Sequence, residues 1–363
     1  MTRFKPQRQD GGTSAEDDEE PVLTSIRDVA LRAGVSVGTV SNVLNRPDMV
    51  SAATRERVLA AITDLGFVRN ESARHLRAGR SRTIGLVVLD IANPFFTDVA
   101  RGVEDVANAQ GLAVILCNSD DRPEKEAAYL DVLAEQRVQG VLITPTAQLS
   151  PALESLRSRG VPVVFLDRAA PTADQCSVAC DDVHGGRLAA QHLLERGHRR
   201  IAFIGGSSGL PQIEQRHQGV DEAVFEVCGS TDDLVVFSPE TLSVGSGREA
   251  GARIVGMPAT RRPTAAVCAN DLIALGLLQE MVRQGVRVPE DFAIVGYDDI
   301  DFAAAAAVPL TSVRKPRQDL GRLAAELLLD EATEGHEHTQ RVFEPTLIVR
   351  ESSMVRHQRT RAG

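Results

Sequence analysis

The chain has 363 residues, 43% of them hydrophobic and 25% charged, with a formal net charge of −10. That length suits two or three domains with real cores. No run of about 18 apolar residues is present, so no membrane-spanning helix is expected.

The N-terminus is polar and acidic, without the apolar stretch of a signal peptide, and a cytoplasmic protein is expected. The negative total argues against nucleic acid until its distribution is read. Residues 24–80 hold nine Arg against five Asp and Glu, whereas residues 1–23 hold three Lys and Arg against six Asp and Glu. A basic module on an acidic body is the asymmetry of a DNA binder with an appended domain.

Residues 1–23, with the acidic run Glu16 to Glu20, read as a disordered tail. Ser25-Ile-Arg-Asp28 then reads as a capping box with Asp in place of Glu, opening a helix through Val29, Ala30 and Leu31 to the turn at Ala33-Gly34. Ser36 caps a second helix with Val40, Val43 and Leu44 on one face. A third helix runs from about Ala52 to Leu65, with Val58, Leu59 and Ile62 inward, and Gly66 stops it. The short Gly-containing turn between the first two helices is that of a helix-turn-helix. A weak helical stretch, Glu71 to Arg77, is too short to be stable by itself.

From Thr83 the pattern alternates between β and α. Apolar runs at 84–89, 113–117, 140–144, 162–166, 200–205, 233–237, 265–269 and 292–297 suit strands buried on both faces of a parallel sheet. Their ends carry polar or turn residues, among them Asp90, Asn118, Asp167, Asn270 and Asp298. Ligands of open α/β sheets bind beyond such strand ends.

Other motifs carry less. Cys176 and Cys180 have the spacing of a metal half-site, but no second ligand pair matches, so the five cysteines read as unpaired thiols. His336 and His338 sit in a polar loop with no third ligand in view. No metal, cofactor or catalytic constellation is expected. Gly205-Gly-Ser-Ser-Gly209 is explained by a strand-to-helix connection.

Residues 25–45, Ser-Ile-Arg-Asp-Val-Ala-Leu-Arg-Ala-Gly-Val-Ser-Val-Gly-Thr-Val-Ser-Asn-Val-Leu-Asn, resemble the signature of the lactose-repressor family of bacterial regulators. Val50-Ser-Ala-Ala-Thr-Arg-Glu-Arg-Val, Asn93-Pro-Phe-Phe, Gly197-His-Arg-Arg-Ile, Ala269-Asn-Asp-Leu-Ile-Ala-Leu-Gly, Val295-Gly-Tyr-Asp-Asp and Pro309-Leu-Thr-Ser-Val continue the likeness in order, to about residue 351. It implies a helix-turn-helix head at 24–69, a hinge at 70–82, a sensor at 83–351 and a tail at 352–363. The sensor should be two α/β lobes with parallel sheets, like sugar-binding periplasmic proteins, with the chain crossing near 180, 302–306 and 314. The implied protein is a repressor that binds near-palindromic double-stranded operator DNA as a homodimer, controlled by a sugar or sugar derivative held between the lobes.

For DNA the resemblance points to Ser36, Val37, Gly38, Thr39, Ser41, Asn42 and Asn45 on the second helix and Thr54 on the third. In the hinge it points to Asn70, Ala73, Arg74, Leu76 and Arg77, with Leu76 as a minor-groove wedge flanked by arginines that include Arg82. Asn42 stands where many relatives have Arg, which favours adenine over guanine.

For the effector it points to Asn93, Phe95, Phe96, Asp167, Arg168, Arg216, Asn270 and Asp298, with Asp271 capping the next helix. Lys315 stands where many members have Gln. It either admits an acidic or phosphorylated sugar or pairs with Asp298 or Asp167. Leu242 falls near a position that is often aromatic.

Two other classes suit the sensor alone, a sugar-binding transport component and an α/β enzyme. The DNA-reading head and the absent signal peptide argue against the first, and fold by itself does not exclude the second.

Overall fold

The computed structural model describes residues 24–67, 81–146, 150–205, 209–333 and 335–354. The chain falls into two compact units that part between Ala78 and Gly79. The hinge residues Asn70, Ala73, Arg74, Leu76 and Arg77, the acidic tail 1–23 and the tail from 355 onward lie outside the described residues.

The head is built from local signals. Helix α1, Ile26–Ala33, starts on a full capping box, Ser25 with Asp28, and ends on Gly34 in the left-handed conformation at φ 65°. Helix α2, Val37–Asn45, is capped by the Ser36 hydroxyl, which accepts from the Thr39 amide. Helix α3 is Ala52–Asp64. Val29, Ala30, Ala33, Val40, Val43, Val58 and Ala61 form the core, with Leu44, Ile62 and Phe67 packed against it. Leu59, expected inside, is exposed, and so is Leu31. The inward face of α3 follows Val58, Ala61 and Ile62, three to four residues apart, and Leu59 sits one residue off that stripe.

The second unit holds two sheets of six strands. In the first lobe are β1 (Thr83–Val88), β2 (Ala113–Asn118), β3 (Val141–Ile143), β4 (Val163–Leu166), β5 (Cys176–Cys180) and β11 (Gln340–Phe343). Their order is β11-β5-β4-β3-β1-β2, and every pairing is parallel. The second lobe holds β6 (Ile201–Ile204), β7 (Leu234–Phe237), β8 (Ala265–Cys268), β9 (Ala293–Asp298), β10 (Thr311–Arg314) and β12 (Thr346–Ile348). Their order is β12-β10-β9-β8-β6-β7, with only β12 antiparallel.

Helices α4 (Pro94–Ala109), α5 (Pro123–Glu135), α6 (Pro151–Ser158) and α12 (Arg317–Glu331) belong to the first lobe. Helices α7 (Asp182–Glu195), α8 (Pro211–Cys228), α9 (Val244–Gly256), α10 (Asp271–Arg283) and α11 (Asp301–Ala305) belong to the second. Four of these helices open on Pro, where the missing N–H costs nothing and the fixed φ suits the first turn. Among the described residues no helix is long and apolar enough to cross a membrane.

The chain crosses between lobes after β5, near 180, and after β10, at 314–317, as expected. The crossing expected at 302–306 is not one. Helix α11 lies there, joining β9 to β10 inside the second sheet. The third crossing is at 344–345, between β11 and β12. These strands and β5 and β10 were missed because they are short or rich in Ser, Thr and Cys, and β11 and β12 are edge strands.

The ends of the sensor also shift. Ser81 is buried and its amide donates to the Arg137 carbonyl at 3.1 Å, and the Arg82 guanidinium holds the Gly111 carbonyl at 2.7 and 3.0 Å. Arg82 therefore serves the sensor rather than the hinge. Ser352 and Ser353, placed in the tail by sequence, are buried; the Thr311 amide donates to Ser352 at 2.8 Å, and Ser353 meets His192 at 2.6 Å.

Helices α7 and α8 cross at their glycines. A Cβ on Gly186 would lie 2.0 Å from the Arg216 carbonyl oxygen, and one on Gly219 would lie 1.9 Å from that of Val183. The same glycine-to-glycine crossing joins α4 to α12 and α9 to α10.

Candidate functional site

Two surfaces collect the sequence-predicted residues. On the head, Val37, Gly38 and Asn42 face solvent from α2 although the helix has a well-packed inner side. Ser36 and Thr39 meet through their hydroxyls at 2.9 Å, and the Asn45 amide reaches back to the Ser41 carbonyl at 2.9 Å. Thr54 accepts from Ser51 at 3.0 Å near the start of α3. A Cβ on Gly38 would meet only Ser36 Oγ at 3.7 Å. Among the described residues nothing in the head requires glycine there, although glycine costs a helix roughly 1 kcal/mol relative to alanine.

In the sensor, a cavity of about 400 Å³ opens between the lobes, within the usual range for small-ligand sites. Seven of the predicted effector residues line it: Asn93, Phe95, Phe96, Asp167, Arg216, Asn270 and Asp298. Each sits at or just beyond the end of a strand or in the first turns of the following helix. Asn93 caps α4, its side-chain oxygen accepting from the Phe95 amide at 3.0 Å, and this places both Phe rings in the cavity wall. The rings meet edge to face, centroids 5.0 Å apart. Across the cleft, the Asn93 amide donates to Asp298 at 3.3 Å, a direct bond between the lobes.

Arg216 is the hub. Its Nε donates to Asp182 at 2.9 Å, its Nη1 donates to the Ala269 carbonyl, and Asp298 lies 3.8 Å from Nη2. The guanidinium also stacks on Tyr297, 3.8 Å from the ring centroid. Burial pushes the Asp182 carboxyl up, but Arg216 and Lys315 outweigh it and hold it below its usual value. Burial wins at Asp298, which is raised despite the same two cations. Asp182 and Tyr297 were missed in the sequence. Asp182 follows β5, so the rule of polar residues at strand ends was never applied to it.

Lys315 does not line the cavity. Its ammonium is fully buried, pairs with Asp167 and lies 4.3 Å from the Phe95 ring centroid. Burial would lower the Lys315 pKa, but Asp167, Asp182 and Asp298 together outweigh it and keep the amine cationic. Of the two expectations for Lys315, the ion pair is the one the structure contains. Arg168 is also turned away, donating to the Pro145 carbonyl at 3.1 Å and lining a separate hollow.

The capping assignment at 270–271 is reversed. Asn270 caps α10, accepting from the Ile273 amide at 2.9 Å, while its amide donates to the Leu242 carbonyl at 3.0 Å. Asp271 instead accepts from Ser312 at 2.7 Å and from the Ile300 amide at 2.9 Å.

The remaining cavity wall includes Asp90, Asp120, Asp121, Glu240, Gln212 and Leu242. Six carboxylates therefore face one guanidinium, Arg216. Asp120, Asp121, Asp167 and Asp298 line the cavity with positive φ, at 52°, 54°, 55° and 95°. Asp tolerates this region better than most residues, and strained backbone concentrates at ligand sites.

Residues 25–70 match the model of bacterial regulatory proteins of the lacI family, and residues 190–353 match a periplasmic binding protein-like domain. The chain is 35% identical over 343 residues to the HTH-type transcriptional repressor PurR of Aliivibrio fischeri strain MJ11, covering 92% of this chain and 99% of that repressor. This chain belongs to the lacI family. Among solved structures, the transcriptional regulator CelR in complex with cellobiose is 35% identical, with a TM-score of 0.65 over 91% of this chain and 100% of that one. The lac repressor dimer bound to operator and the anti-inducer ONPF is 26% identical, with a TM-score of 0.77 over 92% and 99%. The helical head and the two-lobed parallel α/β sensor are thus those of a transcriptional regulator of this family.

Proposed function

We propose that this regulator is an effector-controlled repressor, acting in the cytoplasm as a homodimer on a near-palindromic operator. Two heads are needed because one small head offers too little contact for tight specific binding. Asn42, Gly38 and Val37 read base edges, and Ser36, Thr39, Ser41, Asn45 and Thr54 position the head on phosphates. Asn70, Ala73, Arg74, Leu76 and Arg77 remain assigned to the hinge by the family resemblance. The chain works by binding and not by catalysis.

The effector is a neutral polyhydroxylated molecule of sugar size. The observation that carries this is the cavity wall: six carboxylates, three amides and a Phe pair around one guanidinium already engaged by Asp182. Carboxylates accept from hydroxyls, and the C–H face of a sugar ring packs on an aromatic face. A phosphate would meet net negative charge. Binding must compete with the Asn93–Asp298 bond, which gives the ligand a direct handle on the relation between lobes.

Calorimetric titration against matched sugars and sugar phosphates tests this, with operator affinity measured in parallel. Neutral members should bind at least roughly tenfold more tightly, about 1.4 kcal/mol. Effector and operator should alter one another's affinity by the same factor. Leu242→Trp, which fills the cavity, should abolish the response and leave basal operator binding unchanged. Tighter binding of the phosphorylated partners, or sugar turnover, would overturn the reading.

A further inference from the structure

At the far end of the first sheet from the cavity, four side chains from three segments converge. Cys176 opens β5, Glu331 closes α12, and His336 and His338 lie in the connection to β11. One donor atom from each lies within 4.8 Å of the other three. Cys176 Sγ is 3.1 Å from His336 Nε2 and 3.7 Å from His338 Nδ1. Tetrahedral ligands at about 2.0–2.3 Å from a zinc ion stand about 3.3–3.8 Å apart, so small side-chain adjustments complete such a shell.

The surroundings support ligation. Asp330 accepts from His336 Nδ1 at 2.7 Å, which leaves the Nε2 lone pair facing the cluster. A carboxylate behind a ligating histidine is the usual orienting partner. The Thr339 amide donates to Cys176 Sγ at 3.4 Å, as suits a thiolate. Glu331 Oε2 is buried and has no hydrogen-bond partner.

We propose that Cys176, Glu331, His336 and His338 form a closed four-ligand site for a zinc-class divalent cation. A donor set of one sulfur, two imidazoles and one carboxylate suits Zn(II). The sequence alone showed only His-x-His and a Cys 160 residues away. The location gives the ion a task. Strands β5 and β11 and helix α12 are the first-lobe segments that adjoin the three crossings, at 180, 344–345 and 314–317. Each ligand lies at the end of its segment remote from the crossing, so an ion held by all of them ties these three segments together at the far end of the sheet.

Co(II) titration of the full chain, prepared without a polyhistidine tag, tests this. One Co(II) per chain should bind, with tetrahedral visible bands and a sulfur-to-metal charge-transfer band in the near ultraviolet, and Zn(II) should displace it. Cys176→Ser should remove the charge-transfer band, whereas Cys228→Ser, at an exposed cysteine outside the cluster, should leave it. His338→Ala, at an exposed position, and Asp330→Asn should each weaken binding at least about tenfold. Zn(II) should raise the melting temperature of the parent and not of His338→Ala. Absence of the charge-transfer band, its survival in Cys176→Ser, or unchanged affinity in both His338→Ala and Asp330→Asn would overturn the site.

Discussion

Gly219 in the sensor and Gly38 in the head interrupt helices in the same way, for opposite reasons. At Gly219 the backbone of α7 lies so close that any Cβ would strike the Val183 carbonyl at 1.9 Å. At Gly38 a Cβ would meet nothing nearer than 3.7 Å. The first glycine is required from inside the chain, and the second answers to something outside it. Other residues divide the same way. Arg216 and Lys315 are consumed by internal partners, whereas Val37 and Asn42 are left in solvent on a helix whose other side is packed. An interior requirement registers as stability when broken, and an exterior one registers as binding.

The largest effect is expected at Arg216. Arg216→Ala strands Asp182 and Asp298 as buried charges and should cost about 3–5 kcal/mol of sensor stability. The family resemblance placed Arg216 among the effector residues, which by itself would put the loss in effector binding. The buried network makes folding the first casualty, and chemical denaturation measures it. A variant as stable as the parent would show that Arg216 is not an interior requirement.

Gly219→Ala comes next, at about 1–3 kcal/mol, because the obstacle is backbone and cannot rotate away. Thermal unfolding should show a drop of several degrees, with effector affinity in the surviving folded protein close to that of the parent. No drop would mean that α7 and α8 can separate freely.

The head variants should behave in reverse. Asn42→Ala should leave stability within about 0.5 kcal/mol. It should weaken operator binding by about 1–3 kcal/mol per half-site, with preference relaxed at one base pair. A loss that is uniform across operator sequences would make Asn42 a phosphate contact.

The smallest effect should also be the one that separates the two glycines most cleanly. Gly38→Ala should stabilise the head by about 0.5–1 kcal/mol and still reduce operator affinity, because the added methyl stands where DNA must approach. Unchanged operator affinity would remove the exterior argument for this residue.

Much of this molecule was readable without coordinates because its signals are local. The Ser25–Asp28 capping box, the Ser36 cap and the left-handed Gly34 are each specified within four residues. The long Val, Ile and Leu runs marked eight of the twelve strands among the described residues, and the polar residues at their ends marked Asp90, Asp167, Asn270 and Asp298 of the cavity wall, while the family resemblance supplied Asn93, Phe95, Phe96 and Arg216. Reading failed where apolar character thinned, at Cys176–Cys180 and Thr311–Arg314, and Asp182 was lost with the first of these. It also failed where one residue had two plausible partners or roles, at Lys315 and at the Asn270–Asp271 pair.

By itself, then, the sequence determined a helix-turn-helix head, an alternating α/β sensor and the polar residues at its strand ends, since caps, periodicity and strand ends act over a few residues, and the division of the sensor into two lobes was what the family resemblance implied. Only the tertiary structure decided that Lys315 neutralises Asp167 across 148 positions, that Arg82 and Ser353 belong to the sensor, and that Cys176 meets His336 across 160. Such pairings depend on which strands lie side by side and where the chain crosses between lobes. Spacing along the chain does not encode that distance, and the energy that selects each partner is available only once both groups have left water.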